Sequence, residues 1–403
     1  MTEANHSELI SFDHVSKSFG DFIATQDLSF SLPKGKIIGL IGPSGSGKTT
    51  TIRLLTGIYH PSEGRIKVFD KSPSDFTTKE KAKIGYLTQH FTLFPDLSIA
   101  SNMNFAASMY GQGILRRRKK IDQLLDLVEL QEHRNKLAKK ISGGMQRRLQ
   151  LASTLIHDPE LLLLDEPTAG IDPILRRKFW DYFEMLRDEG KTLFVTTQYV
   201  NEASYCDLVG VLADGKLLEL CEPQELRRIA FGGEKLNLRT IDRFTEAQLA
   251  ELAELDIIKN VRRMDDGTIR ILVDHAATAL PELMSWLQDR SVPVESLQEY
   301  QPPFDDVFVE VVERHLAKEA DQDSPDELEP AETEPEDDTM SEEAMTPAEA
   351  EPDQASPSED TAPAHIDEPS TTEEPKNRLS NHPIFEKPDR PASHQPTDEE
   401  VSS

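Results

Sequence analysis

Lys48 and Thr49 close the run Gly42-Pro43-Ser44-Gly45-Ser46-Gly47-Lys48-Thr49, whose spacing of glycines, lysine and threonine suits a polyphosphate. Glycines at 42, 45 and 47 let successive backbone N–H groups turn inward around phosphate oxygens, at the positive end of a helix dipole. Lys48 then reaches the β- and γ-phosphates, and the Thr49 hydroxyl is placed to ligate Mg²⁺. Pro43, Ser44, Ser46 and Thr50 complete the phosphate-facing set. Further along, Leu161-Leu162-Leu163-Leu164 leads into Asp165-Glu166. An aspartate at the carboxyl end of a buried strand lies where open α/β sheets place their ligands, and can hold Mg²⁺. Glu166 is placed to polarise a water that attacks the γ-phosphate. Between the two motifs, Ser142-Gly143-Gly144 reads as a helix N-cap, again offering hydroxyl and N–H donors to an anion. This chemistry is that of a nucleoside triphosphate site with Mg²⁺ as a ligand.

The elements that must position these groups are legible from periodicity. The apolar segment 36–41 reads as a buried strand before the glycine loop, and 50–55 opens an amphipathic helix ending near Gly57. That context separates a phosphate loop from a chance glycine turn. Residues 93–155 read as mainly helical. The stretch 97–110 has helical apolar spacing, and 119–129 carries Ile121, Leu124, Leu125 and Val128 on one face. Residues 145–157 continue the helix that Ser142 opens. Beyond 235 the pattern changes. Segments 236–240, 268–273 and 294–300 alternate as strands do, 245–254 and 277–289 have helical spacing, and Asp265-Asp266-Gly267 turns a hairpin. The order β-α-β-β-α-β predicts a small ferredoxin-like α+β sandwich over 235–313.

Taken together, the motifs resemble the ATP-binding cassette (ABC) ATPases, over about residues 9–230 with every landmark in order. The fold class this implies is α/β: a P-loop cassette with a mixed core sheet, an antiparallel β subdomain and a helical subdomain. Ile141-Ser142-Gly143-Gly144-Met145-Gln146 resembles the signature loop, with Met145 where Gln is usual. Ala169-Gly170-Ile171-Asp172 resembles the D-loop, and Tyr86-Leu87-Thr88-Gln89 the Q-loop. Phe19 resembles the aromatic that stacks on adenine, although taken alone it reads as a core ring. The resemblance implies catalytic roles for Lys48, Gln89, Glu166 and Gln198, and metal contacts from Thr49, Gln89 and Asp165. It also implies a head-to-tail dimer of cassettes, homo- or heterodimeric, in which Ser142, Gly143, Gly144, Met145 and Asp172 face the partner's nucleotide. The coupling surface to a membrane partner would be 89–98; Phe91, Leu93 and Phe94, taken one at a time, each read as core. The segment from 235 also resembles the C-terminal extension of the daunorubicin-type exporter ATPases, closing with Pro303-Phe304-Asp305-Asp306-Val307-Phe308. One residue departs from the family: Gln198 stands where a switch histidine is usual. An amide can hold a phosphate oxygen and accept from a water, but it cannot titrate.

Composition sets the remaining expectations. The chain has 403 residues and a net charge of −29. Residues 317–403 hold 27 acidic against five basic side chains and 13 of the 26 prolines, so little apolar surface is available to offset ordering entropy. This segment is expected to be a disordered acidic tail, unsuited to nucleic acid or anionic membrane. The basic run 116–120 reads as a solvated helix face near lipid headgroups. No membrane span or signal pattern is visible, and Cys206 and Cys221 read as reduced cytosolic thiols in a helix and a strand. The expectation is therefore a cytoplasmic ATPase subunit, held at the membrane only through a separate transmembrane permease and exporting a substrate that the permease selects. A non-hydrolysing regulatory cassette and a soluble ABC ATPase of translation or DNA repair stand as the alternatives. Soluble relatives of that kind usually carry two cassettes, zinc-binding Cys pairs or coiled-coil insertions, and none is visible in the sequence.

Overall fold

The structure, a computed structural model, describes residues 8–322, apart from the side chains of 114–116 and 319–322. Strands β1 (Glu8–Phe19) and β2 (Phe22–Pro33) form an antiparallel hairpin. The chain then enters a second sheet through β3 (Ile37–Ile41), runs through the glycine loop into α1 (Lys48–Leu55), and returns as β4 (Glu63–Val68) to the free edge of β1. After α2 (Thr78–Lys81) and β5 (Ile84–Leu87) come three helices, α3 (Ile99–Met109), α4 (Ile114–Leu127) and α5 (Gly143–Leu155). There follow β6 (Leu161–Asp165), α6 (Pro173–Asp188), β7 (Thr192–Thr197), β8 (Leu208–Ala213), β9 (Lys216–Cys221) and α7 (Pro223–Phe231).

The second sheet has the order β5-β6-β7-β3-β8-β9, parallel throughout except for the antiparallel edge pair β8–β9. Every residue of β3, β6 and β7 is buried. This is why their sequences are apolar runs and not alternating patterns: both faces of a central parallel strand are covered. The two-residue period sends alternate side chains into separate cores. Leu162, Leu164, Leu193 and Val195 pack with the helices on one face, while Leu161, Leu163 and Phe194 pack beneath the β1–β2 hairpin on the other. Each such leucine contributes roughly 1.5–3 kcal/mol through removal from water. Ile121, Leu124, Leu125 and Val128 are buried on the inner face of the α4 region, as their spacing predicts.

Past Gly232, the chain forms β10 (Glu234–Thr240), α8 (Glu246–Ala253), β11 (Ile258–Arg263), β12 (Ile269–Val273), α9 (Ala276–Asp289) and β13 (Val294–Tyr300). The four strands make an all-antiparallel sheet in the order β11-β12-β10-β13 with its own core, including Leu236, Leu238, Ile271, Leu283 and Trp286. The last helix, α10 (Phe304–Gln322), behaves differently from the expectation that 235–313 packs as one unit. Phe304, Val307 and Val311 are buried in the core of the first segment, beside α7, and the Arg227 guanidinium lies 4.0 Å from the Phe304 ring centroid. Asp305 accepts a hydrogen bond from Asn201, in the short 3-10 turn after β7. Cys206 follows that turn and is not in a helix, the turn being only six residues long. Both cysteines are free; burial pushes the Cys206 thiol up and holds Cys221 at about 12.

Helix α10 also carries the chain past 317 to Gln322, so the first residues expected in the tail are helical. The rest of the expectation for 317–403 lies outside the described residues. Among the described residues no helix is long and apolar enough to cross a membrane.

Because Phe304 is buried in the first core and stacked under Arg227, Phe304→Ala should destabilise that segment by roughly 3–5 kcal/mol. Thermal unfolding would show this as a lowered Tm; an unchanged Tm would mean that α10 is dispensable to the core.

Candidate functional site

The glycine loop sits between β3 and α1 because β3 ends buried at Ile41 and the chain must turn sharply under β8. A side chain at Gly42 would place its Cβ 2.1 Å from the Leu212 carbonyl oxygen, so only glycine fits that approach. Gly47 has a φ of 103°, and its Cβ would stand 2.5 Å from the Ala24 carbonyl oxygen. The first turn of α1 therefore starts from a backbone conformation that L side chains rarely adopt. Lys48, only 4% exposed, donates to the carbonyls of Gly42 and Pro43, both at 2.8 Å. Burial lowers its pKa, against the raising influence of Glu166 and Asp165. The loop, the ammonium group and two carboxylates thus share one electrostatic neighbourhood.

Asp165, at the carboxyl end of β6, is where these elements meet. Its Oδ1 accepts from the Thr49 hydroxyl at 3.1 Å and from the Thr196 hydroxyl at 2.7 Å. Its Oδ2 is buried without a partner among the described residues. Thr196, the penultimate residue of β7, also accepts from the Glu166 N–H through its hydroxyl (3.2 Å), and its carbonyl takes the same N–H at 3.0 Å. Those bonds hold Glu166 at a φ of 50°, the left-handed region that non-glycine residues seldom occupy. The Glu166 carboxylate then accepts from Gln89 Nε2 at 3.2 Å, and Ser44 of the glycine loop donates to Gln198 Oε1 at 3.3 Å. The structure therefore joins Lys48, Thr49, Asp165, Glu166, Gln89, Ser44 and Gln198 in one cluster, although they span 155 positions of sequence.

Other residues singled out from the sequence lie apart from that cluster. Ser142 caps α5, accepting from the Met145 N–H at 3.3 Å, and no hydrogen bond links 142–145 to the glycine loop. Asp172 caps α6 by accepting from the Leu175 N–H at 3.0 Å, with Pro173 in the first turn. Gly144 approaches the turn at 169–172, its Cβ position lying 3.9 Å from the Gly170 carbonyl oxygen. Phe19 is 43% exposed, edge-on to Tyr59 at 5.1 Å, so it is not the core ring its type alone predicts. Phe94 is likewise 46% exposed, set against Phe105 at 4.7 Å, while Phe91 and Leu93 pack on the core as expected. The reason is Asn102, buried in α3. It accepts from the Phe94 N–H and donates to the Phe94, Leu97 and Ser98 carbonyls, holding 94–98 as a surface loop.

Two participants escape sequence reasoning. Thr196 has a signal that could have found it, a hydroxyl at the end of an apolar strand two residues before Gln198. Arg147 has none. On the exposed-looking run Gln146-Arg147-Arg148 it reads as a solvated helix charge, yet it is 6% exposed. Its guanidinium donates to the carbonyls of Thr88, Gln89, Asp165, Glu166 and Pro167. Burial brings its pKa down to about 10, with Asp165 and Glu166 acting against the drop, so it stays cationic at neutral pH.

Residues 25–169 match the ABC transporter family. Over 219 residues the chain is 34% identical to the probable multidrug ABC transporter ATP-binding protein YbhF of Escherichia coli (strain K12), covering 54% of this chain and 38% of YbhF. It thus spans less than half of that relative. Over 310 residues it is 30% identical to the linearmycin resistance ATP-binding protein LnrL of Bacillus subtilis (strain 168), covering 76% of this chain and 99% of LnrL. Among solved structures, the dimeric post-hydrolysis state of the ATP-binding cassette MJ0796, bound to ADP and Pi, superposes with a TM-score of 0.50. It is 26% identical and covers 53% of this chain and 98% of that one. With the glycine loop, Asp165 and Glu166 arranged as above, and with nearly the whole of LnrL matched, the chain belongs to the ATP-binding cassette ATPases of the ABC transporter family.

Proposed function

We propose that this chain is the ATP-hydrolysing subunit of an ABC exporter, working as a dimer of cassettes beneath a separate transmembrane permease on the cytoplasmic membrane face. The observation that carries the reading is the Asp165 carboxylate. One oxygen is shared by Thr49 and Thr196, and the other is buried without a partner among the described residues, beside the glycine loop. An unpaired buried carboxylate oxygen beside a hydroxyl fits Mg²⁺, whose remaining ligands would be water and phosphate oxygens. Thr49 and Asp165 would hold the ion, with Gln89 beside them, and its chemistry there is to neutralise phosphate charge. Lys48 and the loop N–H groups bind the β- and γ-phosphates, and Phe19, exposed beside Tyr59, offers its ring to the base. Glu166 orients the attacking water and takes its proton as the water oxygen bonds to the γ-phosphorus and the bond to the ADP oxygen breaks. Gln198 holds a γ-phosphate oxygen through its amide.

The same reading takes 9–230 as the nucleotide-binding domain and 235–313 as an accessory domain. The order β11-β12-β10-β13 with two helices on one face supports a ferredoxin-like assignment for the latter, with α10 tying it back to the cassette. Ser142, Gly143, Gly144, Met145 and Asp172, unlinked to the chain's own glycine loop, are left to face a second cassette. The dimeric state of MJ0796 supports that arrangement. Names of relatives that include multidrug transport, Nod factor export and linearmycin resistance support the export direction.

Glu166→Gln should keep ATP binding and cut turnover to a small residual level, trapping a closed dimer in Mg-ATP. Size-exclusion chromatography tests this, and a monomer with undiminished turnover would refute the role. Gln198→Ala should lower kcat more than it weakens ATP binding, because the contact matters most while the water is being oriented. Gln198→His should retain activity and add an inflection near the ~6.5 of an ordinary histidine. Steady-state kinetics of the three proteins with the permease present decide it: equal kcat for wild type and Gln198→Ala would favour a non-switching residue.

A further inference from the structure

Arg147 lies on the second turn of α5, the helix that the signature loop opens, and its side chain leaves that helix to enter the site. Nη1 donates to the Gln89 carbonyl at 3.2 Å, to the Thr88 carbonyl, and to Gln150 Oε1 at 3.4 Å. Nη2 donates to the Asp165 carbonyl and to the Glu166 carbonyl at 2.5 Å, and Nε to the Pro167 carbonyl at 3.3 Å. Every principal acceptor is a main-chain carbonyl, and they come from two segments, 88–89 and 165–167. Gln150, one turn along α5, adds a donor to the His90 carbonyl at 2.6 Å. A planar fork of five N–H donors can meet this set; a lysine ammonium, with three donors on one atom, cannot.

The consequence concerns Glu166. Its positive φ is a strained conformation that persists only where the surroundings fix it from several sides. Thr196 fixes the N–H side of that residue, and Arg147 fixes the carbonyl side. The same guanidinium holds the carbonyl of Gln89, whose side chain donates to the Glu166 carboxylate. We propose that Arg147 is a positioning residue for hydrolysis: it locks the Q-loop backbone and the Glu166 backbone to one helix, so that Gln89 and the Glu166 carboxylate move together with the signature loop. Displacement of 88–89 relative to 165–167 then turns the Glu166 carboxylate away from the water it orients, without altering the phosphate-binding loop. The inference rests on the ATP-hydrolysis reading, which wild-type turnover tests by itself.

The test compares wild type, Arg147→Lys, Arg147→Gln and the neighbouring Arg148→Lys, in the full chain with its permease. Arg148 donates to the Val128 carbonyl and pairs with Glu129, away from the site. The Arg147 variants should lose roughly tenfold or more in kcat, as small misplacements of catalytic groups do. KM for ATP should shift by no more than about threefold, because ground-state binding is left intact. Arg148→Lys should match wild type. The arm that a merely structural role would not pass is the double variant. If Arg147 acts through Glu166, then adding Arg147→Lys to Glu166→Gln should lower the residual turnover no further. A multiplicative further loss would overturn the proposal. So would wild-type kcat in the Arg147 variants, an equal effect at Arg148, or failure of both Arg147 variants to melt cooperatively, each of which assigns Arg147 to packing alone.

Discussion

The buried carboxylate of Asp165 is the constraint around which the cassette is organised. A carboxylate that is 1% exposed is costly unless it is hydrogen-bonded or paired. Here β3, β6 and β7 each send one solution to the same point. The glycine loop that follows β3 brings Thr49 and Lys48, β6 ends in Asp165 itself, and β7 carries Thr196 next to its end. These strands are neighbours in the sheet, in the order β6-β7-β3. Parallel pairing places their carboxyl ends together, which is the general reason such sheets bind ligands at that edge. The site is therefore a property of the sheet order, and the polar residues at the strand ends exploit it.

Rigid surroundings are what allow strain to be held there. Glu166 at a φ of 50° lies immediately after the fully buried β6, where the two cores on either side of the sheet leave little room for relaxation, while Gly47 at 103° is held by its close approach to the Ala24 carbonyl. The Glu166 N–H donating to Thr196 and the Glu166 carbonyl accepting from Arg147 complete the restraint. The less constrained partners, Gln89 and Gln198, are exposed side chains resting on that frame by single contacts of 3.2 and 3.3 Å. The buried groups Lys48, Asp165 and Thr196 are thus fixed by several bonds each, whereas the two glutamine side chains can turn on breaking one contact.

The segment beyond Gly232 has its own core and is joined to the cassette by α10, whose apolar face is buried against α7 and the turn after β7. That turn begins two residues after Gln198, so the last described helix packs against the piece of backbone that follows the candidate switch residue. Phe304 beneath Arg227 and Asp305 on Asn201 make the connection a packed one.

Local pattern in the sequence determined much of this. The glycine loop between a buried strand and a helix, the leucine strand ending in Asp165-Glu166, and the β-α-β-β-α-β order beyond 235 are all encoded within short windows, because periodicity and glycine spacing report local backbone geometry. The helix cap at Ser142 was legible from its residue type, whereas the cap at Asp172 emerged only with the structure; the family resemblance marks both side chains for a ligand contact, which belongs to the proposed function. Only the tertiary structure decided that Arg147 is buried while Arg148 is not, that Phe94 lies outside the core, and that Phe304 serves the first core and not the second. Each depends on partners far away in the chain, such as Arg147 on 165–167 and Asn102 holding the Phe94 backbone, and no periodicity carries that information. A hydrogen-bond donor's fate is set by which carbonyls the fold brings within 3 Å of it, and that follows from sheet order and helix packing together.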